Sequence, residues 1–255
     1  MSWNPDQYLK FAAPRLRPAI DLLAAVPATR PRTVYDLGCG AGNVTRALAE
    51  RWPQAGITGV DDSAAMLAKA ATEQSDVRWV EQGLTDWRAD RPADVIYSNA
   101  ALHWLPNHRQ LFPTLLAQLA PGGVLAAQMP RNFEAPSHSL IYDTIQAGPW
   151  RERLVSMIKP SPVATPDSYY DVLAPLCARL DIWETEYLQV LEGNDPVKEW
   201  TKGTWLKQFL DALEASELAA FEEDYAARLR DAYPTRSDGR TLFPFRRLFI
   251  VATAR

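Results

Sequence analysis

A chain of 255 residues, 47% hydrophobic and 23% charged, is long enough for one large core and too short for two generous ones. Its formal net charge of −4 argues against an extended nucleic-acid-binding face, because phosphate affinity comes from clustered Lys and Arg. No run of about 20 apolar residues offers a membrane span, the start MSWNPDQYLKF lacks a basic-then-apolar leader, and Cys39 and Cys177 carry no metal-ligand spacing, so a cytoplasmic protein with no metal, membrane or nucleic-acid partner is expected.

In chain order, the first half alternates two hydrophobic periods as βαβ units do. Thr33 to Leu37 predicts a strand ended by glycines, and Val44 to Arg51 then shows helical spacing. Gly56 to Val60 repeats the strand signal; Ser63 to Thr72 repeats the helix, with Ser63 as its N-cap and Met66 and Leu67 on the inner face. Val77 to Val80, Ala93 to Ser98 and Gly123 to Met129 are further strands. The last two frame a helix from about Arg109 to Leu119 that is expected to stop at Pro121, Gly122 and Gly123. After Pro130 the texture changes: Arg131 to Leu180 is rich in Pro, aromatic and Arg residues with short helical stretches, Leu180 to Leu191 reads as a strand, Leu206 to Tyr233 as strongly helical, and Leu248 to Ala252 as a closing strand. The expected organisation is one integrated domain. Residues 1–130 form a ligand-holding part with an N-terminal flap helix, and 131–255 supply helical lid excursions plus the last sheet strands.

The sharpest signal is Val34-Tyr35-Asp36-Leu37-Gly38-Cys39-Gly40-Ala41-Gly42-Asn43, a strand running through three alternate glycines into a helix. Gly38, Gly40 and Gly42 permit positive φ and let backbone N–H groups approach a ligand where a Cβ would intrude. The G-x-G-x-G spacing differs from the dinucleotide fingerprint G-x-G-x-x-G, which disfavours a nicotinamide-dependent oxidoreductase, and it lacks the Lys-Ser/Thr of a P-loop. Asp36 suits a ligand bearing a cation or polar amine. Asp61 closes the second strand about twenty residues further on, where a carboxylate can accept from both ribose hydroxyls. A glycine loop with a ribose acid points to a nucleoside ligand.

This string resembles the class I S-adenosylmethionine-dependent methyltransferases, over Thr33 to about Met129. The resemblance implies a doubly wound, mostly parallel seven-stranded Rossmann-like sheet with helical lid insertions, S-adenosyl-L-methionine as cofactor and S-adenosyl-L-homocysteine as product. It sets Asp36, Gly38, Gly40 and Asn43 beside the methionine moiety and Asp61 on the ribose. Asp61-Asp62-Ser63-Ala64-Ala65-Met66 is similar to the family's DxSxxM run, in which Met66 flanks the adenine; plain helix core is the other reading of Met66. An Asp often follows the third strand in this family, but Gly83 stands here, which leaves adenine recognition to Gln82 or to the backbone of Gly83 and Leu84. Asn99 and Ala100 would border the cofactor, with His103 and Trp104 toward the acceptor, or His103 a helix-start residue and Trp104 core.

WNPDQYLKFAAPR, RWP, HWLPNH, LFPTL, VLAAQMP, YYDVL, DIW and RLFIVA resemble, more narrowly, the family that esterifies a carboxylate of the small tricarboxylic acid trans-aconitate. That chemistry needs little acid–base help, since a carboxylate with pKa near ~4 is already ionised and attack on a methyl requires positioning and charge matching. No residue is therefore assigned as a certain catalytic group; Asn99, His103 and Trp104 are expected to position the reactants. Several carboxylates on one acceptor ask for arginine forks. Arg247 is the first expectation, then Arg131, with Tyr169 and Trp104 also at the acceptor. Tyr170 and Trp183 are weaker members, and Arg246 reads as a surface charge. Tyr8 and Phe11, with Trp3, would close over the cofactor as a flap, or form a plain apolar helix face. Two other functions stay open: methylation of another small acceptor such as a different carboxylic acid or a quinone, and a silent module that binds S-adenosylhomocysteine and transfers nothing.

Overall fold

The computed structural model describes residues 12–73 and 75–255. It divides into two compact units, each discontinuous in sequence. A sheet unit comprises Arg15–Pro130, Pro162–Thr185 and Arg247–Arg255; the other, a helical unit, takes in Arg131–Ser161 and Glu186–Arg246.

The helix α1 (Ala12–Ala25) precedes β1 (Thr33–Leu37), α2 (Asn43–Arg51), β2 (Gly56–Asp61), α3 (Ala64–Ala70), β3 (Arg78–Glu81), β4 (Ala93–Asn99), α4 (His108–Leu116) and β5 (Leu119–Pro130). Next come α5 (Pro136–Ala147), α6 (Arg151–Leu154), α7 (Pro166–Leu173), β6 (Cys177–Leu191), α8 (Pro196–Lys202), α9 (Lys207–Leu210), α10 (Ala215–Ala232) and β7 (Thr241–Ala254). The seven strands form one sheet in the order β3-β2-β1-β4-β5-β7-β6. Strands β1 to β5 pair in parallel, while β7 runs antiparallel to β5. This is the doubly wound, mostly parallel seven-stranded sheet that the family resemblance implies, built on the βαβ units that the alternating periods predict. Its order reverses between β1 and β4, and in open α/β sheets ligands lie at such a switch point, beyond the carboxyl ends of the strands.

Central strands are buried on both faces and read as continuous apolar runs for that reason: all five residues of β1 are buried, as are Val124 to Met129 of β5. Ser63 caps α3 as predicted, its side chain accepting from the backbone N–H of Met66 at 3.3 Å.

One local expectation fails for an identifiable reason. Pro121, Gly122 and Gly123 do not stop a helix; α4 ends at Leu116, and the three residues form an irregularity inside β5, where the pairing jumps from Ala93↔Leu119 to Val95↔Val124. Gly122 sits at φ 74°, and a Cβ on Gly123 would lie 2.7 Å from the Ala93 carbonyl oxygen. A bulge of this kind demands the same residues as a helix stop. Leu206 to Tyr233 is strongly helical as expected, in two pieces, because Glu214 and Glu217 form a capping box that starts α10 afresh after α9.

The core of the helical unit is aromatic, gathering Trp150, Trp200, Phe209, Phe221, Tyr225 and Phe243 from α8 to α10 and their neighbours. A buried polar chain crosses it: Asn132 Nδ2 donates to Ser137 Oγ at 3.0 Å, Ser137 Oγ meets His138 Nδ1 at 3.0 Å, and the Tyr225 hydroxyl donates to the Ser137 carbonyl at 2.7 Å. Burial pushes the His138 imidazole down to about 4, so it is neutral at physiological pH. Among the described residues no helix is long and apolar enough to cross a membrane, and no group of three His, Cys, Asp or Glu could hold a metal ion. Both cysteines are buried free thiols.

Candidate cofactor and acceptor site

The loop between β1 and α2 is set by its glycines, each for a different reason. All three have positive φ, at 74° for Gly38, 53° for Gly40 and 77° for Gly42. A Cβ on Gly38 would come within 2.1 Å of the Ala101 Cβ, and one on Gly42 within 2.6 Å of Trp79. Among the described residues nothing lies within 4 Å of a Cβ on Gly40. Gly38 and Gly42 are therefore packing glycines, and of the three Gly40 alone meets no atom of the described residues.

Four of the loop's backbone N–H groups are taken up within the protein. Those of Gly38 and Cys39 donate to the Val60 carbonyl at 2.8 and 3.1 Å, that of Gly40 to the Asp61 carboxylate at 2.8 Å, and that of Gly42 to the Cys39 carbonyl at 3.0 Å. A tight left-handed turn beside a neighbouring strand finds its acceptors in that strand, and a buried N–H must be satisfied somewhere.

Asp61 joins the loop to the next helix. One oxygen accepts from Gly40 and the other from the backbone N–H of Ser63 at 3.0 Å, while the Asp61 carbonyl receives the Gln82 N–H at 2.9 Å. Burial raises the pKa of its carboxyl, and the two N–H bonds oppose that rise. Each oxygen keeps a lone pair for a further donor. Asp36, by contrast, is 1% exposed and accepts from Thr45 Oγ1 at 2.6 Å. Burial pushes its pKa up to about 7; the Thr45 hydrogen bond lowers it and the charge of Asp61 adds to it.

The remaining cofactor expectations cluster at the same strand ends. Asn43 opens α2 with an exposed side chain that accepts from Arg46 Nη2 at 2.8 Å. Asp62 is exposed and Met66 is buried in α3. After β3, Gln82 and Gly83 are exposed, Leu84 approaches Gly38, and no atom of the described residues lies within 4 Å of the place of a Gly83 Cβ. At the end of β4, Ala100 is held at φ 53°, a strained conformation for alanine, with its N–H donating to the Gln128 carbonyl at 2.9 Å. The Asn99 Oδ1 beside it is buried with no partner among the described residues. Ser98 Oγ ties β4 to β1 through the Leu37 carbonyl at 2.7 Å.

Beyond β4, a 3-10 turn over Leu102–Trp104 buries His103 and leaves Trp104 37% exposed, the two rings 4.7 Å apart. Tyr169 of α7 is buried; its hydroxyl lies 2.5 Å from His108 Nδ1 and accepts from the Ala164 N–H at 3.3 Å. Tyr170, its neighbour, is 59% exposed. Arg247 is a buried arginine, 5% exposed, opposite Pro130 at the carboxyl end of β5, and its Nη1 donates to Gln128 Oε1 at 3.3 Å. Trp183 stacks on Phe249 at 4.8 Å, with planes 7° apart.

The sheet unit thus gathers Asp36, Gly38, Gly40, Asn43, Asp61, Asp62, Met66, Gln82, Gly83, Leu84, Asn99, Ala100, His103, Trp104, Tyr169 and Arg247. Arg131 belongs to the helical unit, as does Arg246, which is exposed and reaches Glu186 at 3.7 Å. Tyr8 and Phe11 lie outside the described residues.

Residues 34–123 match a family model described as "Methyltransferase domain". A protein of Azoarcus sp. (strain BH72) named trans-aconitate 2-methyltransferase is 49% identical over 251 residues, 98% of each chain. The chain belongs to the trans-aconitate 2-methyltransferase family. Another relative of that name, from Rhodopseudomonas palustris (strain BisB18), is 45% identical over 98% of each chain. Among solved structures, the YcgJ protein from Bacillus subtilis superposes with a TM-score of 0.61 at 16% identity, covering 94% of this chain and 99% of its own, a likeness of fold.

Several residues that build this family member's strand-end cluster were not singled out from sequence. Gln128 is a fully buried amide in the apolar string VLAAQM, and a polar residue in a doubly buried strand was the signal available. Thr45, the Asp36 partner, sits one turn into α2 and looks like any helix residue. His108 was quoted within HWLPNH without a role; it is buried, its Nε2 lies 3.0 Å from the Leu102 carbonyl, and burial lowers its pKa.

Proposed function

We propose that this chain transfers the methyl group of S-adenosylmethionine to a carboxylate oxygen of trans-aconitate, leaving S-adenosylhomocysteine and a monomethyl ester. The observation that carries this reading is the pairing, in one unit, of a glycine-lined opening at the β1/β4 switch point with a buried arginine at the end of the adjoining β5–β7 pair. Membership of the family supports the same acceptor.

The residues fit a nucleoside sulfonium. Among the described residues space is open at Gly40 and Gly83, the Asp61 oxygens keep lone pairs for hydroxyl donors, and the buried Asn99 Oδ1 has no donor. In this reading Asp61 and Asp62 take the ribose side, Met66, Gln82, Gly83 and Leu84 the adenine side, and Asp36, Gly38, Gly40, Asn43, Asn99 and Ala100 the methionine side. S-adenosylmethionine supplies an electrophilic methyl on a positively charged sulfur.

The chain's own part is binding and alignment. An ionised carboxylate needs no proton removed, so the residues near the acceptor hold it and exclude water. Arg247 supplies the fork for one of its carboxylates, with Trp104 and Tyr169 beside it. Replacing Arg247 by Ala is expected to raise the KM for trans-aconitate about 10- to 100-fold, the loss of a charge-assisted pair of about 1.5–3 kcal/mol. The cofactor Kd, measured by calorimetry with S-adenosylhomocysteine, should stay within about twofold. Equal loss of acceptor and cofactor affinity would take Arg247 out of the clamp.

A further inference from the structure

Thr45 is a buried threonine on α2 whose hydroxyl leaves its own helix. A helical threonine ordinarily turns Oγ1 to a carbonyl of the preceding turn. Thr45 Oγ1 instead donates to Asp36 Oδ2 at 2.6 Å, a length typical of a hydroxyl bonded to a charged oxygen, and so ties α2 to β1. Both partners are sealed in, Thr45 at 0% and Asp36 at 1% exposure. Valine has nearly the same shape and would fill the same space, so packing does not call for the hydroxyl.

The surroundings otherwise oppose a charge on Asp36. Burial is the largest influence against it, and the Asp61 carboxylate on β2 acts in the same sense. The other titratable groups that sense Asp36 are the Cys39 thiol in the loop and the Tyr97 hydroxyl on β4. Burial first and the charge of Asp36 second push both upward, so both stay neutral and neither supplies a cation. Among the described residues the Thr45 hydroxyl alone favours the ionised form.

We propose that Thr45 is a positioning residue for cofactor binding: its hydroxyl holds one oxygen of Asp36 and keeps that carboxylate charged and set in one plane for the cationic methionine end of the cofactor. This deepens, and rests on, the reading that places Asp36 on the methionine side. A protonated Asp36 has no charge to offer a cation, so affinity is low below the point where Asp36 ionises, about 7, and rises through it. Losing the Thr45 bond leaves burial and Asp61 unopposed and carries that point upward, by roughly one to two pH units for a hydrogen bond to a charged group.

The test is the Kd of S-adenosylhomocysteine, measured by calorimetry from about pH 6 to about pH 8.5 on the full chain and on Thr45→Val, Thr45→Ser and Asp36→Asn. The ligand's own titration is common to all four proteins and cancels in the comparison. Thr45→Val is expected to raise Kd on the order of tenfold at neutral pH, with the deficit closing as the pH rises. Thr45→Ser keeps the donor and should restore the wild-type profile. Asp36→Asn should remove the rise altogether, and adding Thr45→Val to it should change nothing further. If Asp36→Asn leaves the affinity and its pH dependence as in the wild type, Asp36 does not serve the methionine end and the underlying reading fails. If Asp36→Asn abolishes the rise while Thr45→Val leaves the profile where it was, that reading stands and this inference is wrong. A weakening by Thr45→Val that is equal at every pH, or that Thr45→Ser shares, would make Thr45 a structural part of α2 and overturn the proposal. Thr45→Ala, smaller and equally without a donor, is read in the same way if the valine variant does not fold.

Discussion

Replacing Asp36 by Asn isolates the electrostatic state of the glycine loop. Burial holds the Asp36 carboxyl at about 7 in the folded chain, against an ordinary value of 3.8. The folded protein therefore keeps a proton that the unfolded chain has already released. Native binding of more protons means that stability falls as pH rises from 3.8 toward about 7, and the loss is complete above that. Between about pH 5.5 and pH 9 roughly one and a half pKa units of this loss remain, which at about 1.4 kcal/mol per unit is about 2 kcal/mol. Asparagine keeps an oxygen for the Thr45 hydroxyl, now 2.6 Å from the carboxylate, and has nothing to ionise. Urea unfolding of both proteins at the two pH values measures the difference directly, and the raised Asp61 cancels because both proteins carry it. Asp36→Asn should gain about 2 kcal/mol on the wild type between the lower and the higher pH. Its affinity for S-adenosylmethionine should lose the rise toward alkaline pH that an ionising Asp36 gives a cationic ligand. Parallel stability profiles for the two proteins would refute the assignment of the raised pKa to Asp36.

Two glycine substitutions should separate packing from binding. Gly38→Ala drives a Cβ to 2.1 Å from that of Ala101 and is expected to cost several kcal/mol, or to prevent folding. Gly40→Ala meets no atom of the described residues and carries the left-handed backbone cost of roughly 1–2 kcal/mol, so it should stay folded by circular dichroism while losing cofactor affinity. Tyr169→Phe removes the contacts to His108 and Ala164 and should lower stability by about 1–2 kcal/mol in urea. It should raise the acceptor KM less than Arg247→Ala does, since a hydroxyl held on two sides has little left to offer an acceptor.

The sheet was legible because its strands carry their burial in their composition. TVYDL and GITGV are short apolar runs between turn residues, and parallel central strands have no other way to be buried on both faces. Glycine spacing gave the place of the turn between β1 and α2, yet not its internal wiring. Gly38 and Gly42 look identical to Gly40 in sequence, and only Ala101 and Trp79, distant along the chain, distinguish a glycine that packs from one that opens. The bulge at Pro121 to Gly123 was misread because a helix stop and a strand irregularity ask for the same backbone freedom. Gln128 and His108 were missed for a different reason: the partners that give them meaning, Arg247 and Tyr169, lie 119 and 61 residues away. Periodicity reports which face is buried and carries nothing about which polar groups meet there.

Methyl transfer from S-adenosylmethionine labelled in its methyl group, offered to the purified protein with trans-aconitate beside other di- and tricarboxylates and an apolar quinone, tests the proposed activity most directly. Label is expected to appear as a monomethyl ester of trans-aconitate, at a higher kcat/KM than with any other acceptor, and Arg247→Ala to weaken this preference. Label passing to the quinone in preference to the acids, or to none of them while S-adenosylhomocysteine still binds, would contradict it.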